Sequence, residues 1–150
     1  MQNSNSSSGP HQYVPEDDPL FNKKVLLIED DKLFQEIVKR TLEYSHCQLN
    51  IASDGKQALD FLNNQTPDII IMDIKLQGNM DGITASQKIR EFSDVPIIFI
   101  TGNSDAESKE RATAISNSDF LVKPVTEEKL REVVNRVFGE EEGAEGEDQE

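Results

Sequence analysis

The chain has 150 residues, enough for one domain with tails, and its formal net charge is −14. Much of that charge lies near the ends, because residues 139–150 hold seven acidic groups and residues 1–22 hold three, neither stretch with a Lys or Arg. Residues 23–138 keep a net charge of −4 and contain no stripe of basic residues along which nucleic acid could bind. We therefore predict that nucleic acid is not a partner.

The first part of the chain predicts a tail followed by a strand and a helix. Residues 1–22 are rich in Ser, Asn and Pro, which predicts a disordered segment, with Leu20 and Phe21 at its end packing on the domain edge. A strand is predicted over 24–29 and a helix over 32–45. The helix has apolar residues at the i, i+3, i+4 spacing of one buried face: Phe34, Ile37, Val38, Thr41 and Leu42.

The middle of the chain predicts two more strands and two more helices. A short strand over 48–52 ends in Ser53-Asp54-Gly55, where Ser or Asp can cap a helix that runs to about 64. The apolar run from Ile69 then ends abruptly in Asp73, and its four buried-type residues predict a central strand covered on both faces. The loop 75–82 opens a third helix near Asp81. The residues predicted to point inward are Ala58, Phe61 and Leu62 in one helix and Ala85, Ile89 and Phe92 in the other.

The last part predicts strands that end at Thr101 and at Lys123. Pro96 begins the first of them, and a fourth helix follows with the capping-box spacing of Ser104 and Glu107. That helix is weakly anchored, because nearly all it offers to a core is Ala106, Ala112, Ala114 and Ile115. A strand over 119–122 and a final helix from about Thr126 complete the domain. The final helix is predicted to bury Leu130, Val133, Val134 and Val137.

Five strands alternating with five helices predict an α/β fold with a doubly wound, five-stranded parallel sheet of order 2-1-3-4-5, flavodoxin-like in topology. Its domain spans 23–138, between a disordered segment 1–22 and an acidic disordered tail 139–150. The strand order reverses between strands 1 and 3, and ligands bind at that rim of such sheets.

The predicted rim gathers three carboxylates, of Glu29, Asp30 and Asp73. Three such groups raise one another's pKa unless a cation lies among them, and Mg²⁺ is the hard ion that prefers oxygen ligands and phosphate. Thr101 and Lys123 end the strands at the same rim and add a hydroxyl and a positive charge. This combination suits a phosphoryl group, whose oxygens need neutralising during transfer.

These residues stand in the segments VLLIEDD, IIIMDIK, IFITG and DFLVKP, in this order and at strand ends. With them the chain resembles the receiver (response-regulator) domain of two-component signalling, of the single-domain chemotaxis or sporulation type, over residues 24–138. The resemblance implies that Asp73 accepts a phosphoryl group, and that Asp30, Asp73 and the backbone carbonyl of Lys75 bind Mg²⁺, with Glu29 acting through water. Lys123 precedes a proline that follows a cis bond in this family.

The resemblance also implies a switch. Thr101 would bond a phosphoryl oxygen and pull in its loop, and Phe120 stands where the family usually has an aromatic residue that swings inward; a core phenylalanine is the alternative. Two departures concern the active-site loop: Gln77 replaces the usual proline four residues after the acceptor, and the loop is one residue longer than the commonest form.

The implied function is phosphorelay signalling, with a phosphoryl group accepted from a histidine kinase or histidine phosphotransfer protein and no separate turnover substrate, so not an enzyme. After the domain ends, too little chain is expected to remain for an output module, so the downstream target is a partner protein, with a homodimer formed on phosphorylation as one option. The output face is expected to be the fourth helix, fifth strand and fifth helix, and the donor is expected to meet the first helix.

Three alternative functions make different demands on these residues. An aspartyl-phosphate Mg²⁺ phosphohydrolase commonly needs a second carboxylate two residues after its nucleophile, where this chain has Lys75. A flavin carrier would need a Ser/Thr-rich loop after the first strand, where this chain is acidic. A receiver that only binds partners without being phosphorylated would lack a key residue, and none is missing.

The sequence contains no apolar run near the ~20 residues of a membrane span and no apolar signal-peptide core at its N-terminus. Its single Cys47 cannot form an internal disulfide and is expected to fill the core. We therefore predict no membrane partner and a cytoplasmic location.

Overall fold

The computed structural model describes residues 15–76, 78, 80–102 and 106–139. Its five parallel strands form one sheet in the order β2-β1-β3-β4-β5, which confirms the predicted topology. The strands are β1 Lys24–Ile28, β2 Gln48–Ala52, β3 Ile69–Asp73, β4 Ile97–Thr101 and β5 Ser118–Val122. In register, Val25 pairs with Ile69 and Asp73 pairs with Ile100, so the strand ends reach one rim together.

Helices follow the strands, and most begin at a residue whose side chain caps the first turn. They are α1 Lys32–Thr41, α2 Gly55–Asn64, α3 Gly82–Arg90, α4 Ala106–Thr113 and α5 Glu127–Val134. Asp31, Asp54, Asp81 and Thr126 each accept a hydrogen bond from a backbone N–H of the helix that follows. Asp54 is thus the cap where the sequence allowed either Ser53 or Asp54, whereas Ser104 lies outside the described residues.

The helices cover both faces of the sheet and leave β3 and β4 buried along their whole length. On one face the apolar core lies between the sheet and α2, α3 and α4, and on the other it lies between the sheet and α1 and α5. This sandwich explains why the central strands read as unbroken apolar runs. Among the described residues, no helix has the length and apolar character needed to cross a membrane.

Several apolar residues that were predicted to contribute to the core are exposed. Ala106 and Ala114 are exposed because α4 is short and faces the core mainly through Ala112. Ile37 is 41% exposed, because the buried stripe of α1 is narrow and is filled by Phe34, Val38 and Leu42. Phe92 is 56% exposed, because α3 ends at Arg90 and residues beyond its end no longer follow the helical spacing that would turn them toward the core. The first helix also ends at Thr41, before a 3₁₀ turn over Glu43–Ser45, and so is shorter than the predicted 32–45.

The last described residues of the N-terminal segment pack against the domain. Leu20 is buried in the core beside α1 and α5, as expected. The Asp18 carboxylate is also buried, and it accepts hydrogen bonds from Leu20 N at 2.9 Å, Ser45 Oγ at 3.1 Å and Arg131 Nη2 at 3.5 Å. The packed unit therefore begins before residue 23, although most of segment 1–22 and tail 139–150 lies outside the described residues.

Candidate metal and phosphoryl-acceptor site

The carboxyl ends of β1, β3 and β5 surround one open cleft. Its lining consists of Glu29, Asp30, Asp31, Asp73, Lys75, Gly102 and Lys123. The structure thus brings together every predicted site residue except Thr101, which is buried at the end of β4 beside the cleft. The Thr101 carbonyl accepts a hydrogen bond of 2.9 Å from Lys123 N, which ties the end of β4 to the residue that follows β5. The peptide bond between Lys123 and Pro124 is cis.

Three carboxylates form the acidic side of the cleft. Glu29, Asp30 and Asp73 each present an oxygen, and these atoms all lie within 4.8 Å of one another. Glu29 is only 1% exposed, and Asp73 is also buried. Three negative charges so close together, two of them removed from water, are stable together only with a proton or a cation among them.

Backbone groups hold the two buried carboxylates in place. Glu29 Oε2 accepts a hydrogen bond of 3.0 Å from Asp31 N, and Asp73 Oδ1 accepts one of 3.1 Å from Lys75 N. Glu29 Oε1 is buried and has no hydrogen-bond partner within the described part of the chain. The Asp73 carboxylate could hydrogen-bond to this oxygen only if one of the two carboxylates carried a proton. A bound cation, or a water molecule on that cation, would supply the missing partner of Glu29 Oε1.

Burial is the main cause of the perturbed acidities. Burial first, and then the Asp73 charge, raise the pKa of Glu29 to about 7, while the Asp31 N–H and the Lys123 charge act to lower it. Burial also raises the pKa of Asp73, helped by the Asp30 charge and opposed by the Lys75 N–H and Lys123. Without a cation, Glu29 therefore holds its proton to a higher pH than an exposed glutamate does.

The N-terminus of α3 packs directly on the strand that carries Asp73. Gly82 N donates a hydrogen bond of 2.8 Å to Ile74 O, and a Cβ on Gly82 would lie against the Asp73 carbonyl oxygen. The sequence showed the Asp81-Gly82 pair but not this contact. The available signal was a glycine at the first position of a helix, where close approach of another backbone is a usual reason for it.

The remaining departures of the active-site loop are only partly described. Gln77, where the family usually has a proline, lies outside the described residues, as does Asn79. Gly78 has a φ of 99°, which glycine adopts readily. Leu76 and Met80, two residues before and after it, are at least half-buried.

The chain is similar in sequence to response regulators. A family model described as the response regulator receiver domain matches residues 25–135. The heme response regulator HssR of Staphylococcus epidermidis is 34% identical over 99 residues, which are 66% of this chain and 44% of HssR. The uncharacterized transcriptional regulatory protein YrkP of Bacillus subtilis is 34% identical over 107 residues, 71% of this chain and 46% of YrkP. This chain spans about half the length of these curated relatives.

One similar solved structure has the same fold and contains a bound metal ion. The receiver domain of the sensor histidine kinase PA1611 from Pseudomonas aeruginosa, with a magnesium ion coordinated in its active-site cleft, is 29% identical, with a TM-score of 0.71. The match covers 79% of this chain and 98% of that one.

The name of YrkP, a transcriptional regulatory protein, conflicts with the prediction that nucleic acid is not a partner, and that prediction is withdrawn.

Proposed function

Because this chain belongs to the response regulator receiver domain family, we propose that Asp73 accepts a phosphoryl group from the phosphohistidine of a histidine kinase or histidine phosphotransfer protein. The observation that carries the proposal is the carboxylate cluster, in which Glu29, Asp30 and Asp73 present oxygens within 4.8 Å of one another at the strand ends. Asp73 accepts a hydrogen bond from the Lys75 N–H, and Lys123 lines the same cleft.

The donor set fits Mg²⁺, because it offers hard carboxylate and carbonyl oxygens and no thiolate or imidazole. Asp30 and Asp73 would bind the ion directly, the backbone carbonyl of Lys75 would be a further ligand, and Glu29 would act through water. When bound, the ion neutralises the carboxylates and the charge of the transferring group. The orphaned Oε1 of Glu29 supports this assignment, since a metal-bound water would give it a hydrogen-bond donor.

The chemistry is a displacement at phosphorus. A carboxylate oxygen of Asp73 attacks, the new O–P bond forms as the N–P bond to the donor histidine breaks, and the leaving imidazole nitrogen takes a proton from water. The ammonium of Lys123 and the hydroxyl of Thr101 stabilise the phosphoryl oxygens from the strands on the other side. Each molecule is therefore its own phosphoacceptor, with no separate turnover substrate.

The donor docks beside α1 in this proposal. Leu33 is 71% exposed and Ile37 lies one turn further along the same side of the helix, also exposed. Both follow Asp30 and Asp31, which line the cleft. An apolar stripe that starts at the rim of the acceptor site suits the helix that carries a phosphohistidine.

The output face is α4, β5 and α5. Among the residues of α4, only Ala112 is fully buried, so this helix can move at low cost. Phe120 is half-buried against the core on the α4 side, and Lys109 Nζ of α4 lies 5.1 Å from the centroid of its ring. When Thr101 moves toward the phosphoryl oxygens, Phe120 turns inward and releases this contact. The partner on this face is a downstream protein or a second copy of the chain.

Amide exchange with and without beryllofluoride, a phosphoryl mimic, tests the output face. We expect protection to change over residues 106–123 as well as around Asp73. Changes confined to residues 73–82 would contradict this output route.

Phosphorylation itself is tested by intact mass after incubation with acetyl phosphate and Mg²⁺. The wild-type chain should gain the mass of one phosphoryl group, Asp73→Asn should gain none, and Asp30→Ala should gain it much more slowly. Asp60→Asn is the matched control, because Asp60 is an exposed carboxylate on α2 that pairs with Lys56 and lies outside the cleft. Equal labelling of Asp73→Asn and wild type would contradict the proposal.

A further inference from the structure

The Lys123 side chain rests on an aromatic ring although carboxylates line the same cleft. Its Nζ lies 4.2 Å from the centroid of the Phe34 ring. None of the ion pairs within 4.0 Å that the described residues form includes Lys123. Phe34 is 8% exposed and packs in the core between α1 and the sheet, so its ring occupies a fixed place beside the cleft.

The ring and the carboxylates compete for the same ammonium group. A cation over an aromatic face is held electrostatically, and the contact gains strength when the ring is shielded from water. The lysine stem is flexible enough to carry the ammonium to a carboxylate oxygen instead. If the Lys123 ammonium paired with a carboxylate, it would occupy an oxygen that a divalent cation needs as a ligand. Glu29, Asp30 and Asp73 present their oxygens within 4.8 Å of one another, so the ammonium and the cation would compete for one small site.

We propose that Phe34 is a positioning residue that holds Lys123 out of the carboxylate cluster, which keeps the oxygens of Asp30 and Asp73 available to a divalent cation. Phe34 touches neither the cation nor the phosphoryl group and acts through Lys123 alone. The contact also leaves Lys123 at the cleft rim, ready to exchange the ring for a dianionic phosphoryl group. This last step rests on the proposed function, whereas the competition with the cation does not.

Magnesium titrations of the full chain, followed by amide NMR shifts, test the proposal. Phe34→Leu should weaken Mg²⁺ binding by about two- to fivefold, the equivalent of a cation–π contact near the surface. Phe34→Tyr keeps the aromatic face and should bind Mg²⁺ like the wild type. On a Lys123→Met background, Phe34→Leu should have no effect on Mg²⁺ affinity, because the residue through which the ring acts is gone.

Two further measurements separate this role from ordinary packing. The ring current of Phe34 should shift the Lys123 Cε protons upfield in the wild type and in Phe34→Tyr, but not in Phe34→Leu. Val38→Ala is the matched packing control, since Val38 is fully buried one turn further along α1 in the same core. It should lower stability while leaving Mg²⁺ affinity unchanged.

Either of two results would overturn the inference. One is an equal loss of Mg²⁺ affinity from Phe34→Leu with and without Lys123. The other is unshifted Lys123 protons in the wild type, which needs no variant to fold. If Mg²⁺ binding follows the expected pattern but acetyl phosphate never labels Asp73, the proposed function fails and the positioning role stands.

Discussion

Replacing Gly82 with alanine should strain the backbone that carries Asp73. The added Cβ would lie against the Asp73 carbonyl oxygen, 2.9 Å from Ile74 Cα and 3.0 Å from Met72 Cγ. Two of these three atoms belong to the backbone at the end of β3, which cannot turn aside as a side chain can. Either α3 or the strand end must therefore shift.

The cost follows from overpacking of a rigid site. Such substitutions destabilise by about 1–3 kcal/mol, which for a domain of this size lowers the melting temperature by roughly 3–10 °C. Because the displaced segment carries Asp73, Mg²⁺ affinity should fall together with stability. Thermal unfolding and a Mg²⁺ titration of Gly82→Ala measure both effects.

Gly55→Ala is a matched control for this substitution. Gly55 is also the first residue of a helix after an aspartate cap, but the atoms nearest to its added Cβ all belong to the flexible Met80 side chain, the closest at 3.0 Å. Its stability should stay within about 1 kcal/mol of the wild type, since alanine also reduces the entropy of the unfolded chain. Equal melting temperatures for the two variants would refute the backbone argument.

Three other results are expected. Mg²⁺ should bind more tightly as the pH rises from about 5.5 to about 8, because Glu29, with its pKa raised to about 7, must lose its proton. In calorimetric titrations, Glu29→Gln should weaken this dependence. Without Mg²⁺, the folded chain holds the Glu29 proton more tightly than the unfolded chain does, so its urea stability should fall as the pH rises from the ordinary 4.5 toward about 7, and less so in Glu29→Gln. A chain of residues 20–139 should be less stable to urea than one of residues 15–139 by about 1–3 kcal/mol, because it leaves Ser45 and Arg131 without the buried Asp18 carboxylate.

The sequence was sufficient to predict the rim of the sheet. Each central strand is an apolar run that ends in a polar residue, and parallel strands bring those ends to one edge. Asp73 and Glu29 therefore met as predicted once the strand order was right. The helix starts near Asp81 and Thr126 were also predicted, because the signals that begin a helix depend on neighbours only a few residues away.

Contacts between distant segments could not be predicted from spacing. Lys123 and Phe34 are far apart in the chain, and their contact depends on the rotamer of a flexible side chain and on how α1 packs. The close approach of Gly82 to Asp73 depends on the angle at which α3 meets the sheet. The exposure of Ile37 depends on how narrow the contact between α1 and the sheet is, which helical periodicity does not specify.

The most direct test of the account is to identify the atom that receives the phosphoryl group. Borohydride reduces an acyl phosphate to the alcohol, so treatment of the labelled chain should convert the acceptor aspartate to homoserine, and peptide mass spectrometry locates it. We expect homoserine at position 73 after incubation with acetyl phosphate and Mg²⁺, and none when Mg²⁺ is removed by chelation. Homoserine at another position, or a phosphoryl group that resists borohydride on a serine or threonine, would contradict it.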